Sequence, residues 1–250
     1  MNELVSIVMP CFNTDKYIKF SIESVINQTY SNWELIIIDD CSTDNSNEII
    51  NSFCEKDDRI RYLKTDFPSG SPTIPRNIGI ENSSGRFIAF LDSDDLWAEN
   101  KLENQIYLFN DDLVAIVFSN YEKISENGLS NSRNVIAPNF INYKQLLYGN
   151  VIGCCTCIID TSKSGKFKFN NQGHEDYALW LKILRKGFYA KNSGLVLASY
   201  RVRESSISSN KLKVILWVYI IFRKNEKLSI LSSLYFTLTT LSKSFVKYLK

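Results

Sequence analysis

The sequence predicts an α/β fold, in which a mostly parallel, doubly wound central sheet is flanked by helices and followed by a C-terminal tail of amphipathic helices. Three observations carry this expectation. Short apolar runs rich in Val, Ile and Phe recur along the chain, and segments of helical period lie between several of them. Such alternation of strand and helix builds a parallel sheet covered on both faces. The polar clusters sit directly behind the strand-like runs, where sheets of this kind bind ligands.

The elements follow in order. "VSIVMP" (5 to 10), "WELIIID" (33 to 39), "RIRYLK" (59 to 64), "RFIAFLD" (86 to 92) and "LVAIVFSN" (113 to 120) each read as a buried strand. Between them, Ile18, Ile22, Val25 and Ile26 share one helical face, as do Ile49, Ile50 and Phe53, and then Leu102, Ile106 and Phe109. Residues 121 to 149 have no strong period and are expected to form connecting loops and a short helix. "NVIGCCTCIID" (150 to 160) is expected to be a further buried strand. "HEDYALWLKILRKG" (174 to 187) is a helix with acids at its start, Lys and Arg in its last turn and Gly187 as its stop. These elements form one unit over residues 1 to 208, and residues 209 to 250 form the tail.

With 250 residues, 44% hydrophobic and 22% charged, the chain is an ordinary globular protein with enough length for a sizeable core. Six cysteines that do not form two paired C-x-x-C motifs, behind a start that lacks a basic n-region, favour a reducing, cytoplasmic compartment. Cys154, Cys155 and Cys157 could be read as a metal cluster, but adjacent residues are poorly placed around one tetrahedral ion, and buried thiols are the preferred reading. The net charge of +2 hides an asymmetry: residues 201 to 250 carry ten Lys or Arg and two Glu, so the tail is basic and the body acidic. The nine-residue run "VILWVYIIF" is too short to span a bilayer. The segment after it places Ile230, Leu234, Leu238 and Leu241 at helical spacing, with Lys243, Lys247 and Lys250 near the end. Contact with an anionic membrane surface is expected of such a tail, the alternative being that it packs back on the domain. A nucleic-acid partner is not expected.

"FLDSDDLW" places Asp92, Asp94 and Asp95 within four positions at a strand end. Carboxylates that crowded repel unless donors or a cation compensate them. Capping of the next helix would use one or two of them; three on a ligand-binding rim favour a hard divalent cation and phosphate chemistry. Asp40, just past the second strand, is placed to accept hydrogen bonds from a base or ribose, while Ser42 and Asp44 are candidates to cap the following helix. Arg76 in "RNIG" suits phosphate recognition. Asp176 is a candidate general base, with a plain helix N-terminus around His174 and Glu175 as the alternative.

The ordered blocks "VSIVMPCFN", "IIIDDCSTDNS", "RNIG", "FLDSDD", "HEDYALWLK" and "YRVRESSIS" resemble glycosyltransferase family 2, inverting enzymes of the GT-A fold, over residues 4 to about 208. By that resemblance Pro10, Phe12, Asp40 and Arg76 would bind the nucleotide of a UDP-sugar. Asp92 and Asp94 match the D-x-D motif, with Asp95 beside it, and would hold Mn²⁺ or Mg²⁺ on the diphosphate. Asp176 matches the catalytic base and Glu175 its acceptor-binding partner. The family often has His where Arg203 stands; Arg cannot ligate a metal, so Arg203 would weaken the ion's hold or pair with the diphosphate itself. The resemblance implies transfer of a hexose or N-acetylhexosamine with inversion to a β linkage. The acceptor would be a polyprenyl-diphosphate-linked saccharide for O-antigen, capsule or related polysaccharide, met at the inner face of the cell membrane. A non-catalytic sugar-nucleotide or glycan-binding module on the same fold is the competing reading. A nucleotidyltransferase or a nicotinamide dehydrogenase is disfavoured, since "PCFNTDKY" has no glycine and G-x-G-x-x-G is absent.

Overall fold

The computed structural model describes residues 3–203 and 211–249. The end of the "YRVRESSIS" block and the expected boundary at 208/209 lie outside the described residues, as do the side chains of Lys243, Lys247 and Lys250. In the first half strands and helices alternate: β1 (Val5–Cys11), α1 (Ile18–Ile26), β2 (Trp33–Asp39), α2 (Ser46–Cys54), β3 (Ile60–Lys64), α3 (Thr73–Glu81) and β4 (Phe87–Phe90). There follow β5 (Leu96–Trp97), α4 (Lys101–Ile106), β6 (Val114–Ile124), β7 (Ser130–Val135), β8 (Phe140–Asn142), α5 (Tyr143–Leu146), β9 (Ile158–Asp160) and α6 (Thr161–Ser164). The chain ends with α7 (Glu175–Leu184), β10 (Tyr189–Arg201), α8 (Lys211–Ile220) and α9 (Ile230–Leu249).

One sheet runs through the molecule in the order β3-β2-β1-β4-β9-β6-β10-β5. The half made of β3, β2, β1 and β4 is parallel throughout. Beyond it β9 runs antiparallel to both β4 and β6, while β6 and β10 pair parallel. In β1 alternate side chains enter opposite cores: Val8 packs with Ile36, Ile38 and Phe90, whereas Ile7 and Met9 pack with Leu35 and Ile37. Burial on both faces is why these strands read as continuous apolar runs. Pro10 fits because the Val8 carbonyl accepts from Leu91 on the β4 side, and Pro10, two residues on, faces that side where β4 has ended. Helix α3 lies hard against β1 and β2: a Cβ on Gly79 would fall 2.4 Å from Val8 Cγ1 and 2.7 Å from Ile38 Cδ1.

Three expectations are corrected. Of residues 150 to 160 only Ile158–Asp160 is strand, because Cys154–Thr156 form a 3-10 turn on the cleft wall. Residues 121 to 149 hold the end of β6, then β7 and β8, besides the short helix α5. Ser93, Asp94 and Asp95 do not open or cap the next helix: the Asp95 N–H bonds back to the Asp92 carbonyl, β5 follows, and α4 starts only at Lys101.

The tail packs on the domain through one side. Val218 of α8 and Ile221 and Phe222 of the following π-helical turn are buried in the same core as Trp180 and Leu184 of α7. Glu226 seals the join, accepting from the Tyr143 hydroxyl at 2.7 Å and pairing with Arg185 at 3.3 Å. The outer side of α9 is apolar, with Ile230, Leu231, Leu234, Tyr235 and Leu238 exposed, while Ser233, Thr237 and Thr240 are buried beneath it. No helix among the described residues is long and apolar enough to cross a membrane.

Candidate active site

A cleft of about 1020 Å³ opens along the carboxyl ends of the parallel strands. Pro10, Phe12, Asp40, Arg76, Asp92, Asp94, Glu175, Asp176 and Arg203 all line it, nine of the ten candidate site positions, and Asp95 does not. Asp95 is only 1% exposed and turned away from the cleft, its Oδ1 accepting the Arg201 N–H at 2.8 Å. Burial, then the charges of Asp92 and Asp94, hold its carboxyl well above the usual carboxylate range.

At one end of the cleft, Pro10 and the half-exposed Phe12 ring follow β1, and Asp40 follows β2. Asp40 already accepts from the Thr65 hydroxyl at 3.0 Å and from the Ser69 N–H and hydroxyl at 2.9 and 2.8 Å. It therefore pins the loop that forms this end. Asp44 is likewise committed, its Oδ1 accepting the Ser46 N–H and its Oδ2 the Asp15 N–H.

Arg76, buried on α3, stands at the centre. Its Nη2 donates to Asp92 at 2.6 Å and its Nη1 to Glu175 at 2.8 Å. Burial opposes its charge, but the paired carboxylates of Asp92 and Glu175 more than offset that and hold the guanidinium protonated. One cation thus ties the turn after β4 to the first residue of α7.

Asp92 and Asp94 supply two carboxylates on the same wall, and Arg203 reaches Asp94 at 3.1 Å. Burial and then the charge of Asp92 raise the Asp94 carboxyl above its ordinary value, against the pull of Arg203. Negative charge here exceeds what the arginines compensate, and oxygen donors suit a hard divalent cation. Among the described residues no three His, Cys, Asp or Glu side chains converge as a cage. An ion held by Asp92 and Asp94 would thus take its remaining ligands from a bound substrate or water. The thiols of Cys154, Cys155 and Cys157 are pushed up by burial, so they stay protonated and act as packing.

Asp176 lies at the second position of α7 on the cleft surface. Its Oδ2 accepts from Asn150 Nδ2 at 3.1 Å and its Oδ1 from the Tyr177 N–H at 2.7 Å. These bonds orient the carboxylate and leave lone pairs free for a proton. Burial raises the neighbouring Glu175 carboxyl, Arg76 lowers it and Asp176 raises it again. The cleft also has aromatic lining that no motif in the sequence marks, from Tyr121, Tyr200 and Trp217. Tyr200 stands beside Arg201 in β10, a strand the apolar pattern did not reveal, and Trp217 was assigned only to the tail.

Comparison with known proteins bears on the family and the fold. A family model described as glycosyl transferase family 2 matches residues 6–162. An Escherichia coli protein, UDP-Glc:alpha-D-GlcNAc-diphosphoundecaprenol beta-1,3-glucosyltransferase WfgD, is 43% identical over 211 residues, 84% of this chain and 81% of its own length. A second E. coli enzyme with the same activity name, WfaP, is 41% identical over 84% of this chain and 82% of its length. Among solved structures, S. aureus TarS 1-349 in complex with UDP-GlcNAc superposes with a TM-score of 0.71 over 98% of this chain and 73% of that one, at 19% identity. A Pyrobaculum calidifontis mannosyltransferase in complex with GDP-Man and Mn²⁺ gives 0.70 over 93% and 69%, at 16% identity.

Proposed function

The chain belongs to glycosyltransferase family 2, and from that premise we propose that it moves a hexose or N-acetylhexosamine from a UDP-sugar to a hydroxyl of a saccharide carried on a polyprenyl diphosphate, forming a β linkage. The observation that carries this is the Arg76 bridge, which sets the Asp92 and Asp94 wall and the Asp176 carboxylate on one cleft. A binding module would have no use for an oriented base beside a charge-dense wall.

In this reading the uracil and ribose occupy the end formed by Pro10, Phe12 and Asp40. Arg76 and Arg203 face the diphosphate, whose leaving oxygen gains negative charge as its bond to the anomeric carbon breaks. A Mn²⁺ or Mg²⁺ ion, when bound by Asp92 and Asp94, supplies Lewis-acid stabilisation of that charge. Asp176 takes the proton from the acceptor hydroxyl as its oxygen bonds to the anomeric carbon from the opposite face, so an α-linked donor yields a β product. Glu175, held by Arg76, is the group beside it that positions the acceptor.

The acceptor class is supported by the names of the E. coli relatives, which act on a GlcNAc diphosphoundecaprenol. Contact with an anionic membrane is supported by the outward apolar side of α9 and the basic tail. The test is a screen of UDP release across UDP-sugars, with and without Mn²⁺, using α-GlcNAc diphosphate on a short alkyl chain as acceptor. One UDP-sugar is expected to give release that depends on both acceptor and metal. Binding of a UDP-sugar with no turnover under any condition would replace the enzyme by a binding module.

A further inference from the structure

The cleft extends past Asp176 to a wall that belongs to the tail. Trp217, on α8, lines it together with Gln172, Gly173 and His174. The indole lies so close to the backbone at Gly173 that a Cβ there would fall 1.9 Å from Trp217 Cδ2, so only glycine admits this packing. His174 braces the ring edge-to-face at a centroid distance of 5.9 Å, and it does so from a left-handed backbone conformation, φ 56°. A non-glycine residue pays for that conformation in strain, which local packing must offset. Val218, Ile221 and Phe222, just beyond, anchor the helix in the core, so the indole is a fixed surface.

Two polar atoms next to this surface have no partner. Gln172 Nε2 and His174 Nε2 are both buried and unbonded, although both residues line the cleft. A buried polar atom left without a hydrogen bond carries a free-energy penalty that a ligand can relieve. A fixed aromatic face with polar groups at its margin matches a pyranose ring, whose C–H face is apolar and whose rim carries hydroxyls.

We infer that Trp217, Gln172 and His174 form the subsite that seats the acceptor sugar ring, with Trp217 stacked on its C–H face. The inference rests on the glycosyl transfer proposed above and assigns the acceptor end of that site. His174 directly precedes Glu175 and Asp176, so a ring seated there brings a hydroxyl toward the proposed base. The tail is then part of the active site rather than an appendage to it.

The experiment compares full-length wild type with Trp217→Ala, Trp217→Phe and Gln172→Ala, using α-GlcNAc diphosphate on a short alkyl chain and the preferred UDP-sugar. Trp217→Ala is expected to raise the acceptor KM about tenfold, a loss typical of one stacked ring, with less than about threefold change in donor KM. Trp217→Phe, which keeps an aromatic face, should recover most of the loss. Gln172→Ala should raise acceptor KM without moving donor KM. If Trp217→Ala fails to fold, Gln172→Ala carries the test. Unchanged acceptor KM in whichever of these two variants folds overturns the inference, and so does a wild type that turns over donor but is not stimulated by this acceptor. Wild type that releases no UDP from any donor defeats the transfer reading itself.

Discussion

Arg76 is almost wholly buried yet bonds carboxylates from two different elements, Asp92 after β4 and Glu175 on α7. Removing one member of such a set strands the remaining charge, at a cost of about 3–5 kcal/mol. Arg76 therefore serves the fold as well as the site, and its loss would not separate the two. Asp176 is cleaner to question, because it lies at the cleft surface and its bonds from Asn150 and Tyr177 are local. An Asp176→Asn side chain keeps an oxygen for one of these bonds but cannot take a proton. Under the proposed reaction, turnover should fall by a factor on the order of 10³, the usual span of a general base, while calorimetric titration with UDP gives wild-type affinity. Turnover within a few-fold of wild type would remove the base role from Asp176.

At the level of elements, α4 starts with a lysine that the core has enclosed. Lys101 is fully buried; its Nζ donates to Gln105 Oε1 and to the Thr156 carbonyl, the latter at 3.2 Å, and it sits over the Trp97 ring. Burial lowers its pKa from 10.5 to about 7. Between those values the unfolded chain binds more protons than the folded one, so stability rises with pH across that window. A Lys101→Met variant, near in shape and uncharged, should melt higher than wild type at pH 7, and the gap should close as pH approaches 10. A gap that does not change with pH would show that the buried charge is not its cause. Which elements could be read from sequence follows the same logic of burial. Runs such as β1 and β2 were legible because both faces are covered. β10 was not, since Lys191, Asn192, Ser193 and Gly194 interrupt it where its pairing to β6 shifts register. α3 was hidden by Pro72, Pro75 and Gly79, residues that read as breakers, although Pro75 falls in its first turn and Gly79 meets β1. The Asp cluster was legible as a site, but which of its carboxylates turns inward, Asp95, depends on a backbone bond to Arg201 more than 100 positions away.

On the scale of the whole molecule, α9 turns Phe236 toward the core but leaves most of its other apolar side chains outward. The side against the domain buries Ser233 and Thr237, whose hydroxyls bond the carbonyls of Ser229 and Ser233 at 2.8 and 2.7 Å. Such bonding to the preceding turn lets hydroxyls sit inside without a tertiary partner. The outer side leaves Leu231 80% and Leu238 67% exposed, with Ile230, Leu234 and Tyr235 between them. A stripe of that kind on one helix marks a contact surface. Each leucine transferred from water to lipid would contribute about 1.5–3 kcal/mol, and each basic residue near an anionic surface about 1 kcal/mol. The apolar share is thus large enough to hold the protein on vesicles when salt screens the charges. Full-length protein should float with phosphatidylglycerol vesicles at low salt and partly at high salt. Leu231→Glu with Leu238→Glu, both at exposed positions, should keep the wild-type melting temperature yet lose flotation at either salt concentration. Because the same tail sets Trp217 against the cleft, that double variant should still use the short-chain acceptor, whereas an acceptor embedded in vesicles should be used poorly. Equal use of both acceptors by the double variant would show that α9 does not bring the cleft to a membrane.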